Sequence, residues 1–431
     1  MTRIRLAVVL LAVLALPAAA HAAATGFDVE AATRAWLDTL QGPARAKSDA
    51  YFEGGYWLPL WGALLSIVID LLLLRRRLSA RFRDWGQNLS GRPWIVTGVT
   101  AFCYGVVGTV LMFPWSVYTD FLREEQYGLM NQSFGGWLGE QAIGIAIGMV
   151  ASTVLFIAIY AAIRRFPKGW WILGSGIMAA FVTVAILIAP VYITPLFNTY
   201  TELPDGPVRD RILSMANSNN VPASHVYVFD ASKQTKRISA NVSGLGPTVR
   251  ISLNDNLLSR SSEQEIAAVM GHELGHYVLG HTLRNMLFMV GLSALALFLL
   301  SRAVPWLIAR HGRRWGVKDI ADPASLPVLS ICLAIVGLLA TPLTNTLIRV
   351  DESEADVFGL DVAREPDAFA SVAMKLSEYR KIEPGWLEEA LFYDHPSGAT
   401  RVRMAMAWKK AHVPNAQVVR PAPMPQDFGG Q

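Results

Sequence analysis

The chain has 431 residues, 52% of them hydrophobic and only 17% charged, with a mean hydropathy of +0.33, a balance that excludes a disordered protein and an ordinary soluble globular one. The formal net charge of +4 does not point to nucleic acid, because the basic residues flank apolar runs and no aromatic-basic recognition motif accompanies them. Cys103 and Cys332 both lie inside apolar segments, which excludes a disulfide framework and a cysteine metal site, so any metal must be held by histidine and carboxylate.

Arg3 and Arg5 precede an apolar stretch from Leu6 to Leu16, then Pro17 and the small-residue sequences Ala20-His21-Ala22 and Ala22-Ala23-Ala24. Residues 1–24 thus have the layout of a secretory signal peptide or a signal anchor, too short for an easy membrane span. Six longer apolar runs follow: Tyr56 to Leu74, Trp94 to Phe113, Ala142 to Ile163, Trp170 to Tyr192, Met286 to Ala309 and Leu326 to Ile348. Each can cross a hydrocarbon layer about 30 Å thick. The expected fold class is a polytopic α-helical membrane protein, a bundle of about six transmembrane helices with a small α/β region built from the polar stretches.

Domain organisation follows from the same pattern. Residues 25–195 comprise an N-terminal outer segment and spans one to four, and 284–349 hold spans five and six. The polar stretches 196–283 and 350–412 are the two parts of the catalytic region, and 413–431, with Pro414, Pro421, Pro423 and Pro425, reads as a disordered tail. Arginines and lysines gather in alternate loops, at Arg75 to Arg92, at Arg164, Arg165 and Lys168, and from Arg302 to Lys318, whereas the opposite loops carry Asp120, Glu124 and Glu125. The positive-inside rule therefore puts both polar regions outside, in a bacterial inner membrane with the site facing the periplasm.

The chemistry is carried by Gly271-His272-Glu273-Leu274-Gly275-His276, inside a stretch from Glu263 to His281 that reads as a helix capped by Ser261 or Ser262. Four residues advance about 400° on a helix, so His272 and His276 project from one face a turn apart and can bind one zinc ion, with Glu273 beside the water to be activated. A chain with eight histidines yields such a match by accident on the order of 0.01 times, so two unrelated helix histidines are a weak competitor. His281, five residues beyond His276, misses the spacing of a three-histidine motif and on a continuous helix points about 180° from His272, so it reads as an interfacial or structural residue.

Glu352 is the better third ligand, in Glu352-Ser353-Glu354-Ala355-Asp356, with Asp356 on the same helical face and able to accept from a ligand histidine's free nitrogen, while Glu354 points elsewhere. The other reading of this segment is an acidic helix start after a membrane exit. Two spans separate His276 from Glu352, which returns both to the same side of the membrane. Asp70, Glu140 and Asn345 are costly in lipid and are expected to face the bundle interior or a wet cavity.

From about Trp57 to Arg403 the chain resembles the integral-membrane zinc metallopeptidases of the CAAX prenyl protease type 1 family, as a bacterial homologue. The matching signatures include Pro114-Trp115-Ser116-Val117-Tyr118 with Glu124-Glu125, Pro195-Leu196-Phe197 with Leu203-Pro204-Asp205-Gly206, Asn241 with Gly244, and Arg250-Ile251-Ser252-Leu253 with Asp255. Gly271 to His276 with Gly280-His281-Thr282, then Glu352, Ala355 and Asp356, and His395-Pro396 with Arg401 complete the series in order. The resemblance implies that His272, His276 and Glu352 ligate one zinc ion per chain, that Glu273 is the general base, that His395 stabilises the oxyanion and that Asp356 and Arg401 support the site. It also implies helices surrounding a large water-filled chamber. The span that eukaryotic members have between the first and second matching spans is absent here, which reverses the side on which everything downstream lies.

The reading is a membrane-embedded zinc metalloendopeptidase acting on a protein or peptide bound in extended form, in contact with membrane lipid and not with nucleic acid. The segments around Ile238 to Ser243 and Arg250 to Leu253 read as strands joined by Gly244-Leu245-Gly246-Pro247, to whose edge a substrate can add, with Asn241 fixing its register. One alternative is an envelope or membrane quality-control protease with no prenyl dependence. The other is a metal-binding channel or transporter without hydrolytic activity.

Overall fold

The computed structural model describes residues 26–244 and 249–424. Residues 1–25, expected to hold the signal segment, residues 245–248, expected to join two strands, and the tail beyond Met424 lie outside the described residues. The chain begins with a short helix, α1 (Val29–Leu37), capped by Asp28, and enters the membrane with α2 (Gly42–Arg75). A twelve-residue helix, α3 (Leu78–Leu89), connects α2 to α4 (Pro93–Val117), which continues through a π-helical turn at Tyr118–Leu122. Then come α5 (Phe134–Arg165) and α6 (Trp170–Ile188), and, after the first polar region, α10 (His281–Trp315) and α11 (Leu326–Ala363).

Among the described residues six helices are long and apolar enough to cross a membrane, and each of the six expected runs lies inside one of them. Their most apolar windows are only 6% to 22% buried within the protein, so most of that apolar surface is left for lipid. The three polar residues within spans have protein partners. Asp70 is buried and accepts from Tyr104 at 2.8 Å; Glu140 accepts from Gln234 at 2.9 Å; Asn345 donates to the Leu391 carbonyl at 3.0 Å.

The polar region between α6 and α10 folds into α7 (Pro207–Ser218), a four-stranded sheet, α8 (Asp255–Arg260) and α9 (Glu263–Val278). The strands β1 (Tyr200–Glu202), β2 (Val226–Phe229), β3 (Ala240–Ser243) and β4 (Arg250–Asn254) lie in the order β1-β2-β4-β3. The β2–β4 pair is parallel and β4 pairs antiparallel with β3, with Asn241 opposite Ser252, so β3 is a sheet edge. Val226, Ile251 and Leu253 from the sheet interlock with Ile266, Met270 and Leu274 of α9 in one apolar core.

The second polar region supplies α12 (Pro366–Leu376), α13 (Trp386–Phe392) and α14 (Gly398–His412). Helices α12 and α14 pack with α1 in a separate core of Phe27, Trp36, Leu37, Phe369, Val402 and Met406, and α13 lies against α11. The tail departs from the expected disorder as far as it is described. Gln417 accepts from Lys409 at 2.9 Å, and the Met424 amide donates to the Thr39 carbonyl at 2.9 Å. Ala416 and Met424 cover the α1 core, an apolar gain that offsets the entropy of ordering the segment.

Helix α9 starts at a capping box, in which Ser262 and Glu265 satisfy each other's backbone N–H, and Lys375 of α12 pairs with Glu265 at 2.8 Å. Its apolar side lies along the C-terminal half of α11, where Gly271 and Gly275 meet Ala355 and Gly359. A Cβ at Gly271 would stand 2.9 Å from the Gly359 carbonyl oxygen, and one at Gly359 would stand 2.7 Å from the His272 amide nitrogen. Both obstacles are backbone atoms, which a rotamer change cannot move. We expect Gly359→Ala and Gly271→Ala to force α9 and α11 apart and to destabilise by about 1–3 kcal/mol or more. Gly291→Ala, with nothing within 4 Å of its Cβ, serves as the control in thermal unfolding of the purified protein in detergent.

Candidate active site

The helix crossing brings together residues 80 positions apart. His272 Nε2 lies 3.3 Å from Glu352 Oε2, His276 Nε2 lies 3.4 Å from Glu352 Oε1, and the two Nε2 atoms are 3.1 Å apart. Three corners of a tetrahedron with bonds of about 2.0–2.1 Å to its centre are ~3.3–3.4 Å apart, so this donor set fits a zinc ion in spacing and in chemistry.

The outer nitrogens decide which atoms are bare. Asp356 Oδ1 is 2.8 Å from His272 Nδ1. A carboxylate can only accept, so Nδ1 carries the proton and Nε2 presents a lone pair. His276 Nδ1 is 2.8 Å from His281 Nδ1, and His281 Nε2 is 3.2 Å from Glu354 Oε2. By the same logic His281 donates to Glu354 through Nε2, which leaves its Nδ1 to accept from His276. In the neutral rings both Nε2 lone pairs would face the Glu352 carboxylate, and a cation bound there would replace any proton held between them. Burial works against charge on His272, but Asp356 and Glu352 override it and raise its pKa to about 10, which shows how strongly the pocket stabilises positive charge.

Helix α9 does not run on to His281 as the sequence suggested. It ends at Val278, and Gly280 turns the chain in the left-handed region (φ +72°) before α10 begins at His281. That break swings His281 back against His276, where it is buried. The sequence signal for it is Gly280 itself, a helix-stop residue that was passed over in favour of a continuous helix. Glu354 and Asp351 are held in turn by Arg284.

Asp356 is fully buried, and Arg401 donates to both of its oxygens, Nε at 2.9 Å and a terminal nitrogen at 2.5 Å. His395 reaches the site from the loop before α14, its Nε2 3.4 Å from Glu352 and its Nδ1 2.8 Å from the Asp394 carboxylate. Glu273 lines a cleft of about 230 Å³ together with His272, Glu352, His395 and Arg401, and its carboxylate has no hydrogen-bond partner among the described residues. Burial pushes the Glu273 carboxyl upward from the ordinary glutamate value, although His272 and His276 pull the other way. Ile238, Ser239 and Ala240, leading into the edge strand β3, form another wall of the cleft. Asn241 sits on β3, and its side chain is not among those lining the cleft.

Residues 202–409 match the family model described as peptidase family M48, and residues 37–199 match that of the CAAX prenyl protease N-terminal region, described as having five membrane helices. Between 37 and 199 this chain has four helices that can span, because α3 is only twelve residues long. Over 84% of its length the chain is 26% identical to the "Uncharacterized metalloprotease YhfN" of Bacillus subtilis, covering 85% of that protein. It is 26% identical to the human "CAAX prenyl protease 1 homolog", with 84% of each chain covered. The crystal structure of S. mikatae Ste24p superposes with a TM-score of 0.69 at 19% identity, covering 89% of this chain and 96% of that one, a shared fold.

Replacing His281 with Phe is expected to leave the His276 Nδ1 proton without an acceptor and to weaken metal binding about 10- to 100-fold, read by competition with a chromogenic chelator. His311→Phe, at the opposite end of α10, is the matched control and is expected to change nothing.

Proposed function

We propose, from the match of residues 202–409 to peptidase family M48 and from the donor geometry, that His272, His276 and Glu352 hold one zinc ion while Glu273 and His395 act on the peptide beside it. The protein is a membrane zinc metalloendopeptidase of the CAAX prenyl protease type. The observation that carries the site assignment is the convergence of two imidazole nitrogens and one carboxylate within 3.4 Å, next to a glutamate with no hydrogen-bond partner among the described residues.

Zinc held there polarises a carbonyl and lowers the pKa of water to about 7, which supplies a nucleophile at neutral pH. Glu273 accepts the water's proton and passes it to the leaving amine, a role typically worth about 10² to 10⁴ in rate. His395, held by the Asp394 carboxylate at 2.8 Å from its Nδ1, supplies a donor to the developing oxyanion, where loss of one donor commonly costs about 10² to 10³. Arg401 orients His272 through Asp356 without touching the substrate.

The substrate lies extended along the free edge of β3, where main-chain hydrogen bonds give affinity with little sequence preference and bring the scissile bond over Glu273. The arginine-rich loops at Arg75 to Arg92 and Arg302 to Lys318 support an orientation with these loops in the cytoplasm and the site in the periplasm of a bacterial inner membrane. The relatives named CAAX prenyl proteases make a prenylated chain terminus one substrate to compare with an unmodified peptide.

Glu273→Gln is expected to retain zinc at one ion per chain by metal analysis while losing at least 10²-fold in peptide cleavage; undiminished cleavage would refute the base assignment. A periplasm-active reporter fused after Gly206 is expected to be active and one fused at Gly312 silent, and the reverse pattern overturns the orientation. Matched peptides with and without a prenyl group, run in the same assay, read out prenyl dependence directly.

A further inference from the structure

Beside the cleft lies a second, larger cavity of about 820 Å³, walled by α2, α11 and the segment around α13. Ile238, Ser239, Tyr379 and Arg380 line both spaces, so these four residues form the neck through which one opens to the other. One side of the cavity is apolar and aromatic, with Tyr56, Trp57, Leu338 and Phe392. The other carries three guanidinium groups, those of Arg123, Arg237 and Arg380.

Two of the three are already used. Arg237 pairs with Glu124 at 2.7 Å and donates to the Tyr51 hydroxyl at 2.6 Å. Arg123 donates to the Tyr51 carbonyl and lies over the Tyr51 ring, 4.1 Å from its centre. Arg380 is different: among the described residues its guanidinium makes no hydrogen bond and no ion pair within 4 Å. Asp394, the acid that shares the cavity, is engaged by His395. The N–H groups of this half-buried residue therefore stay open to the cavity at the wall the two spaces share, with Asp394 acting on the guanidinium only through space.

Resting on the endopeptidase reading above, we propose that Arg380 is a specificity residue that binds a carboxylate of the peptide substrate as the chain passes the neck between the catalytic cleft and the larger cavity. A planar guanidinium donates two parallel N–H bonds to a carboxylate and none to an amide in that manner, so the residue discriminates by charge and shape. The adjoining aromatic wall takes the apolar side chains on the same stretch of peptide. The carboxylate comes either from the chain terminus or from an aspartate or glutamate side chain, and the experiment separates the two.

The test uses full-length protein in detergent with one fluorescent peptide series: free or amidated C-terminus, and a single Glu or Gln scanned across the positions flanking the scissile bond. Wild type is expected to cleave one carboxylate-bearing form with a KM 10- to 100-fold lower than its neutral partner, with kcat changed much less. Arg380→Gln is expected to raise that KM to the neutral value and leave the neutral peptide unaffected, Arg380→Lys to restore part of the preference, and Arg380→Glu to favour a lysine at the same position. Equilibrium binding of the same peptides to Glu273→Gln and to the double variant with Arg380→Gln, by fluorescence anisotropy, gives the preference without turnover. Equal KM and Kd for charged and neutral peptides in wild type, or an equal loss on all peptides in Arg380→Gln, overturns the subsite. Peptides bound with the preference but never cleaved would count against the endopeptidase reading and leave the subsite standing.

Discussion

The site exists because two helix backbones touch. Helix α9 and the C-terminal half of α11 meet through Gly271, Gly275, Ala355 and Gly359, with no room for a Cβ at Gly271 or Gly359. Interfaces made of small residues let helices approach more closely than ordinary side chains allow. At that separation His272, His276 and Glu352 reach a common point from the faces of two rigid helices, and Asp356 sits one turn beyond Glu352 against the far nitrogen of His272. Three donors carried on long helices are positioned more rigidly than three carried on loops, and the spacing needed for a metal tolerates errors of only a few tenths of an ångström.

The two histidines are backed differently. His272 leans on a buried carboxylate whose charge is divided with Arg401, whereas His276 leans on the neutral ring of His281, which leans on Glu354. A carboxylate behind an imidazole raises its basicity, and a neutral acceptor fixes the tautomer with a smaller electronic effect. The cleft therefore gathers carboxylates on the α11 side and leaves the Glu273 side with only the glutamate's own charge. That asymmetry suits a reaction in which one group must release a proton to the substrate, while the ligands must hold still.

Much of this was legible before any coordinates. Apolar run length is a strong signal because lipid cannot satisfy a bare backbone, so six spans and their order could be read directly from the chain. The His-Glu-x-x-His spacing identifies two donors because helical geometry is fixed by the backbone. Contacts between distant segments were less accessible. The pairing of α9 with α11 rests on glycines that look the same in sequence whether they permit a close approach or none, as Gly291 and Gly337 illustrate. The continuous helix through His281 failed because one glycine with a positive φ reorients everything after it, and the docking of 413–424 was missed because proline-rich sequence reads as disorder until an apolar surface is found for it to cover.

Peptide hydrolysis beside a bilayer poses a further physical constraint, since water and an extended backbone both have to reach a site whose flanking helices expose apolar surface to lipid. The fold separates these demands in space. The proposed zinc donors sit where α11 has left the apolar part of its span, near a sheet whose edge strand is β3. The cavity that joins the cleft lies between α2 and α11, lined by arginine and tyrosine on one side and by aromatic rings on the other, so it can hold water and apolar side chains at once. Two of its arginines are held within the protein, Arg237 by Glu124 and Arg123 by the Tyr51 carbonyl, which keeps the cost of these charges near the membrane low. An arginine left out of that neutralisation stands where the two spaces meet, and a chain passing from one to the other has to go by it.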